Sequence, residues 1–216
     1  MDFIDDKHRE IVEGLNKIVV ASGVPMEGNL YYMHHQNLSA NQTVAAQFAH
    51  KRRQLAALAK HKVNVMEIGF NAGHSAALML YSNPDLRYRG IDIGWHKYTV
   101  PCAQFLAKVF PGRVELTIGD SRSAYPYSFD KYADCDLIHI DGGHSLELFR
   151  IDLVHALTLP CTNPDRHLLI DDTEDPHNPA ISPELQKWID GGYVAIDTLG
   201  GVMADRGNHL LVKPLR

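Results

Sequence analysis

The segment that decides the fold is Val63-Asn-Val-Met-Glu-Ile-Gly-Phe-Asn-Ala-Gly-His-Ser75. Its apolar run ends around the acidic residue Glu67, and a loop with Gly69 and Gly73 leads into a predicted helix. Glycine at these positions allows a sharp turn and lets a ligand approach the main chain closely. Free N–H groups at the start of the helix favour a negatively charged group. The segment therefore predicts a strand–loop–helix unit that binds a small cofactor; the alternative is an ordinary tight turn.

Apolar runs and helical segments alternate after residue 60, which is typical of a parallel α/β sheet. Strands are predicted at 63–68, 88–91, 114–118, 136–140, 167–170, 193–198 and 208–212. Helices are predicted at 5–21, from Ser39 or Asn41 onward, and at 75–82, 97–109, 145–157 and 181–190. We expect an α/β fold with a doubly wound, mostly parallel seven-stranded Rossmann-like sheet. An N-terminal helical lid or substrate segment (1–60) would precede the cofactor-binding domain (61–216).

The composition argues against several classes of function. A formal charge of −5 gives no general attraction to nucleic acid or anionic membranes. The chain has no apolar run long enough to span a bilayer, and its acidic N-terminus lacks the features of a secretion signal. Three cysteines argue against a disulfide framework. We therefore expect a cytoplasmic protein that acts on a small molecule, either alone or as a homo-oligomer.

The histidines and the basic residues do not indicate a zinc site or a nucleic-acid-binding site. The 13 histidines are scattered, without zinc-ligand spacing. The run His50-Lys51-Arg52-Arg53 is compatible with RNA binding, but the rest of the chain is not basic. We interpret the run as a solvated helix face.

Polar residues follow each of the central predicted strands. Open α/β sheets bind ligands at the carboxyl ends of their strands. Asp92 can accept hydrogen bonds from both ribose hydroxyls, and Asp120 and Ser121 are suited to the amino group of adenine. Each of these acids has an alternative role as a helix N-cap.

Three further acids, Asp141, Asp171 and Asp172, follow the fourth and fifth predicted strands. Neighbouring parallel strands lie about 5 Å apart, so these carboxylates converge if the two strands are adjacent. Their repulsion requires protons or a cation, and oxygen ligands suit Mg²⁺, or Mn²⁺ or Ca²⁺. Such a cation would hold a substrate hydroxyl and lower its pKa. The alternative is that Asp171 and Asp172 cap a helix or loop without a metal.

The glycine spacing argues against a dinucleotide-binding loop and resembles that of another family. A dinucleotide fingerprint requires a glycine where this chain has Asn71. The order E-x-G-x-x-x-G resembles motif I of class I S-adenosylmethionine-dependent methyltransferases. From about residue 60 to 175, the chain also resembles the catechol O-methyltransferase-like branch and a related group with an I-D-G-x-H signature.

This resemblance implies a role for each matching residue. The methionine part of the cofactor would be framed by Gly69, Asn71 and Gly73, with Ser75 on its carboxylate and Glu67 supporting the loop. The remaining assignments are Asp92 for the ribose, Ile93 for the adenine face, Asp120 and Ser121 for the adenine edge, and Asp141, Asp171 and Asp172 for the metal.

The chain departs from the family pattern at two positions. His144 stands where the catechol enzymes have a lysine base, and a histidine suits general base catalysis near neutral pH. Its alternative role is to support the metal ligands or cap a helix. Asp172 stands where the family often has asparagine, which adds negative charge to the metal site or indicates another purpose.

The leading hypothesis is a metal-assisted O-methyltransferase of a small hydroxylated molecule, with Asp141 and His144 as catalytic residues. One alternative is a metal-independent N- or O-methyltransferase with His144 as the base. Another is a non-catalytic module that binds S-adenosylmethionine. The aromatic run Tyr31–His35, with Trp95 and His96, is predicted either to form the substrate rim or to pack in the core.

Overall fold

A seven-stranded sheet runs through the protein, in a computed structural model that describes residues 3–27, 29–33, 43–143, 145–174, 178–204 and 208–215. The strands within these ranges are β1 (Asn64–Ile68), β2 (Arg87–Asp92), β3 (Val114–Ile118), β4 (Leu137–Ile140), β5 (His167–Ile170), β6 (Val194–Ile196) and β7 (Leu210–Pro214). Their order is β3-β2-β1-β4-β5-β7-β6. In this sheet β7 is antiparallel to both of its neighbours, β5 and β6, and the other pairs are parallel. The predicted doubly wound, mostly parallel α/β fold is confirmed.

Helices cover both faces of the sheet. In the described part of the chain they are α1 (Asp6–Ser22), α2 (Ala49–Ala59), α3 (His74–Ser82), α4 (Thr99–Val109), α5 (Ser121–Ala124), α6 (Phe129–Tyr132), α7 (Leu146–Thr158) and α8 (Ile181–Asp190). Buried side chains of α1 to α4 form one core with one face of the sheet. Those of α6, α7 and α8 form a second core with the opposite face.

The second predicted helix begins later than the sequence suggested. Its predicted cap residues, Ser39 and Asn41, lie outside the described residues. In the described part, a 3₁₀ turn at Ala46–Phe48 leads directly into α2. Leu55 and Leu58 of α2 are buried in the core.

Strand alternation places two polar residues on the same face as the N-terminal helices. Val65 and Leu137 belong to the core formed with α1 to α4. Because side chains alternate along a strand, Glu67 and His139 point to that face as well. The two residues are direct partners in the β1–β4 register. The sheet therefore brings an acid and a histidine together beneath the N-terminal helices.

No helix among the described residues has the length and hydrophobicity required to cross a membrane.

Candidate active site

The loop between β1 and α3 has the backbone that its glycines were expected to allow. Gly69, Asn71 and Gly73 have φ angles of 98°, 51° and 77°. A Cβ atom on Gly69 would lie 1.9 Å from the main-chain oxygen of Asp141, so only glycine fits there. Gly73 is the N-cap of α3, and Ser75 lies in the first turn of that helix with 9% of its surface exposed. The loop thus turns tightly over the end of β1 and opens the N-terminus of α3.

Asp92 fastens this loop to the end of β2. Its Oδ2 accepts a hydrogen bond from the Asn71 N–H (2.7 Å), and its Oδ1 accepts one from the Gly94 N–H (2.7 Å). The Tyr98 hydroxyl donates to Asn71 Oδ1 (2.8 Å), which fixes the loop from the other side. Each carboxylate oxygen can accept a second hydrogen bond. Asp92 therefore keeps acceptor capacity for ligand hydroxyls.

Apolar side chains lie exposed beside Asp92. Ile93, Trp95 and Ile118 are 43%, 80% and 48% exposed. A Cβ atom on Gly94 would lie 2.9 Å from Ile118 Cγ2, so the residues that follow β2 pack closely against the end of β3. The ends of these two strands form an apolar edge suited to a flat ring.

Asp120 has the capping role that was its alternative interpretation. Its side chain accepts a hydrogen bond from the Arg122 N–H (3.0 Å) at the start of α5. It also forms an ion pair with the Arg122 guanidinium. These hydrogen bonds lower the pKa of Asp120. Ser121, the first residue of α5, is half-buried.

The three predicted metal-ligating acids come together in the structure. Asp141, Asp171 and Asp172 line one small pocket, together with Gly142 and Gly143. They meet because β4 and β5 are parallel neighbours and end at the same level of the sheet. Asp172 has a left-handed backbone (φ 58°), which aspartate adopts more readily than most residues.

A lysine of α2 provides a positive charge at this pocket. Lys51 Nζ forms an ion pair with Asp171 Oδ1, and the two side chains are only 16% and 4% exposed. The Asp172 N–H donates to the same oxygen (2.9 Å). Burial opposes the charge on Lys51, but the negative charges of Asp171 and Asp141 outweigh it and raise the pKa of the lysine. Burial also opposes the Asp171 carboxylate, but Lys51 holds its pKa well below the usual range. Both members of the pair are therefore charged.

The interpretation of residues 50–53 as a solvated helix face holds for His50 and Arg53, which are exposed, but was wrong for Lys51 and Arg52. Lys51 is directed at Asp171, and Arg52 is fully buried. The Arg52 guanidinium donates to the carbonyl oxygens of Leu30 (2.6 Å) and Ala45 (3.0 Å). The helix packs on the sheet through this basic stretch because main-chain oxygens and an acid satisfy the two charges.

His139, which the sequence analysis did not single out, connects Asp171 to Glu67. Its Nδ1 lies 2.7 Å from Glu67 Oε1, and its Nε2 lies 3.6 Å from Asp171 Oδ2, which is close enough for an ion pair. Burial opposes protonation of His139, but its interactions with Asp171 and Glu67 outweigh it and raise the pKa to about 10. Glu67 was expected to support the glycine loop. Among the described residues, its hydrogen bonds go to His139 and the Tyr88 hydroxyl.

Asp141 is the least compensated acid of the pocket. Among the described residues, none donates a hydrogen bond to its carboxylate. Burial and the charge of Asp171 raise its pKa well above the ordinary value. Among the described residues, the group of potential metal ligands whose donor atoms lie within 4.8 Å of one another is Asp141 with Glu67 and His139. The three aspartates that line the pocket form a different candidate set, which consists of oxygen donors alone. Their oxygen donors fit a hard divalent cation.

The remaining residues predicted for the site either lie outside the described residues or make packing contacts. His144, His34 and His35 lie outside the described residues. Tyr31 and Tyr32 are 0% and 2% exposed and pack in the core, so of their two predicted roles the structure shows packing. His96 stacks on Tyr98 with ring centroids 4.8 Å apart, and it contacts Glu27 at 2.9 Å.

Comparison with known proteins identifies the family. Residues 66–173 match a family model described as "Methyltransferase domain". This match spans both the glycine loop and the acidic pocket. No curated protein sequence matches the chain.

Solved structures confirm the fold. Cofactor-bound Rv0187 from MTB is 15% identical, with a TM-score of 0.65 over 98% of this chain and 91% of that one. An O-methyltransferase from Bacillus cereus in complex with SAH is 14% identical, with a TM-score of 0.66 over 96% and 91%. The O-methyltransferase TomG from Streptomyces achromogenes, involved in tomaymycin synthesis and solved with SAM, is 17% identical, with a TM-score of 0.59 over 95% and 89%. At these identities the likeness establishes the fold alone.

The family match confirms the prediction that the protein is a methyltransferase. The shared fold agrees with the resemblance to the class I S-adenosylmethionine-dependent enzymes. The chain belongs to the methyltransferase-domain family.

Proposed function

We propose that this methyltransferase transfers a methyl group from S-adenosylmethionine to a hydroxyl of a small molecule, with the help of a divalent cation. The observation that supports this most is the contact between the glycine loop and the acidic pocket. The ideal Cβ position of Gly69 falls 1.9 Å from the main-chain oxygen of Asp141, so the two candidate sites adjoin. Methyl transfer requires donor and acceptor in contact and in line.

The cofactor roles follow from the geometry of the loop. Gly69, Asn71 and Gly73 would frame the methionine part, and the N-terminus of α3 with Ser75 would receive its carboxylate. Asp92 would accept hydrogen bonds from the ribose hydroxyls.

The adenine ring would lie on the apolar edge that follows β2 and β3. Ile93 would contact its face, and Asp120 and Ser121 would lie at its edge. Asp120 is already bonded to Arg122, and Ser121 forms a hydrogen bond with the Asp152 side chain.

Asp141, Asp171 and Asp172 would hold Mg²⁺, with Mn²⁺ or Ca²⁺ as substitutes. When bound, such a cation supplies positive charge that lowers the pKa of an acceptor hydroxyl. The protein's own contribution is to orient the carboxylates: His139 and the Asp172 N–H fix Asp171, while the Gly69 contact fixes the main chain of Asp141. His144 is our proposed general base for the acceptor proton.

The Lys51–Asp171 ion pair favours one alternative function. Because Lys51 already places a positive charge on Asp171, the pocket can be partly neutralised without a metal. The second candidate is therefore a metal-independent N- or O-methyltransferase with His144 as its base.

The remaining expectations are also proposals. Residues 1–60 would act as the substrate lid, which is supported by the position of Lys51 at the pocket. A small-molecule acceptor agrees with the description of TomG as an enzyme of tomaymycin synthesis. A cytoplasmic location and a homo-oligomeric assembly are predictions from the sequence.

The test is the variant Asp141→Ala, assayed on a panel of hydroxylated acceptors by formation of S-adenosylhomocysteine. We expect turnover to fall on the order of 10²–10³-fold, with cofactor affinity within about threefold of wild type. Asp130→Ala, an exposed acid of α6, is the matched control and should keep full activity.

EDTA separates the candidate functions. Loss of wild-type turnover in EDTA, restored by Mg²⁺, supports the cation-assisted reaction. Turnover that persists in EDTA would favour the metal-independent enzyme. Cofactor binding without turnover on any acceptor would favour a non-catalytic module.

A further inference from the structure

We propose that Lys51 and a divalent cation compete for Asp171. The ammonium group pairs with this acid when the pocket holds no cation, and cation binding releases it. Lys51 is thus a positioning residue that acts through Asp171. This inference rests on the proposed function, because it requires that the three aspartates bind a cation.

The contact itself is the first argument. Lys51 Nζ pairs with Asp171 Oδ1, an oxygen of a predicted metal ligand. Asp171 is 5% exposed and Lys51 is also largely withdrawn from water, so solvent screens this pair weakly. A surface lysine would contribute little here, but a buried one interacts strongly.

Positive groups approach both carboxylate oxygens of Asp171. Asp171 is approached by Lys51 on one oxygen and by His139 on the other. A divalent cation that binds Asp171 meets this positive charge at short range. Its binding is therefore opposed unless the ammonium moves away from the carboxylate.

The position of Lys51 in the chain gives the competition a structural consequence. Lys51 lies in the first turn of α2, and Asp171 directly follows β5. The ion pair therefore ties the N-terminal helical segment to the carboxyl edge of the sheet. Cation loading would loosen this tie at the same edge where the acceptor is expected to bind.

Binding of Mn²⁺ to the purified full-length protein tests the proposal without any assay of activity. Dissociation constants are measured by isothermal titration calorimetry for wild type, Lys51→Met, Lys51→Arg and Arg53→Met. Removal of the competing charge should tighten Mn²⁺ binding at least about tenfold in Lys51→Met. Lys51→Arg keeps the charge and should stay within about threefold of wild type. Arg53→Met removes an exposed charge from the same helix and should change the affinity less than about twofold.

Thermal unfolding provides a second readout. Without a cation, Lys51→Met should melt at a lower temperature than wild type because Asp171 loses its partner. Saturating Mn²⁺ should raise the melting temperature of this variant by more than that of wild type, since the tighter ligand stabilises more.

The outcomes distinguish failure of the proposed competition from failure of the proposed cation site. Equal or weaker Mn²⁺ binding in Lys51→Met, with Arg53→Met unchanged, would overturn the competition while leaving the cation site intact. If neither wild type nor Lys51→Met binds Mn²⁺, the cation part of the proposed function fails and the competition fails with it. Tighter binding in Lys51→Met that Asp141→Ala abolishes in the double variant would support both.

Discussion

At Gly69, the absence of a side chain allows the ends of two central strands to meet. A Cβ atom there would overlap the main-chain oxygen of Asp141, and the φ angle of 98° is one that L-residues rarely adopt. The overlap is with backbone, so rotation of a side chain cannot relieve it. The position therefore joins the proposed cofactor loop to the acidic pocket.

We predict that Gly69→Ala destabilises the protein by about 3 kcal/mol or more and abolishes binding of S-adenosylhomocysteine. Urea unfolding and calorimetry measure the two effects. Gly112→Ala is the matched control: its φ is 73°, but nothing lies within 4 Å of the new Cβ. That variant should lose only about 1–2 kcal/mol and keep its affinity. Equal effects at both positions would show that the backbone angle matters and the contact does not.

The contact between Lys51 and Asp171 could not be predicted from the sequence. Basic residues in a row are usually solvated, and the local sequence contains nothing that distinguishes Lys51 from Arg53. The distinction arises only when α2 packs on the sheet and turns one of them toward Asp171. The acids themselves were predictable because they directly follow apolar strands, and parallel strands end at a common edge.

Among the elements, α1 is bound to α3 through buried neutral polar groups. The Asn16 amide donates to the Tyr32 hydroxyl (2.8 Å), and Asn16 Oδ1 lies 3.0 Å from His74 Nε2. His8 Nε2 lies 3.2 Å from the Tyr31 hydroxyl. Burial lowers the pKa of His74 to about 3 and that of His8 to about 4. Both histidines are therefore neutral in the folded protein near neutral pH.

These two histidines should lower the stability of the protein in mild acid, whereas His139, with its raised pKa, should have the opposite effect. Unfolded histidine binds a proton near pH 6.5, whereas His74 and His8 do not until pH 3–4. Protonation therefore favours the unfolded chain as the pH falls through 6.5. The separate contributions of His74 and His8 to the free energy of unfolding should each drop by about 2 kcal/mol between pH 8 and pH 5. Urea titrations at the two pH values measure this.

His74→Gln should reduce this pH-dependent loss by about 2 kcal/mol. His61→Gln, at an exposed position, is the control and should leave it unchanged. An identical pH dependence in wild type and His74→Gln would contradict the assignment.

The bounds of the strands and of the longer helices could be predicted to within a few residues, because apolar periodicity defines these elements. The α5 and α6 helices were missed since each has four residues, too few to show a helical period. The start of α2 was also missed, because packing and not a local cap determines it.

For the whole molecule, the order of the strands explains why the proposed sites adjoin. The chain reverses direction across the sheet between β1 and β4, and β1 lies directly beside β4. Ligands of open α/β sheets bind at such a reversal. The glycine loop that follows β1 and Asp141 that follows β4 therefore share one edge. The alternating pattern of strands and helices predicted this fold. It did not predict which side chains of the N-terminal helical segment would point toward the sheet.

Calorimetric titration of the purified protein with S-adenosylmethionine tests directly whether the loop at Gly69 binds the methyl donor. We expect one site per chain with a dissociation constant in the micromolar range. Asp92→Asn should weaken binding at least about tenfold, because a charged acceptor of the ribose is lost. If the wild-type protein gives neither heat nor thermal protection with this cofactor, the loop at Gly69 is not a methyl-donor site and the proposed function is wrong.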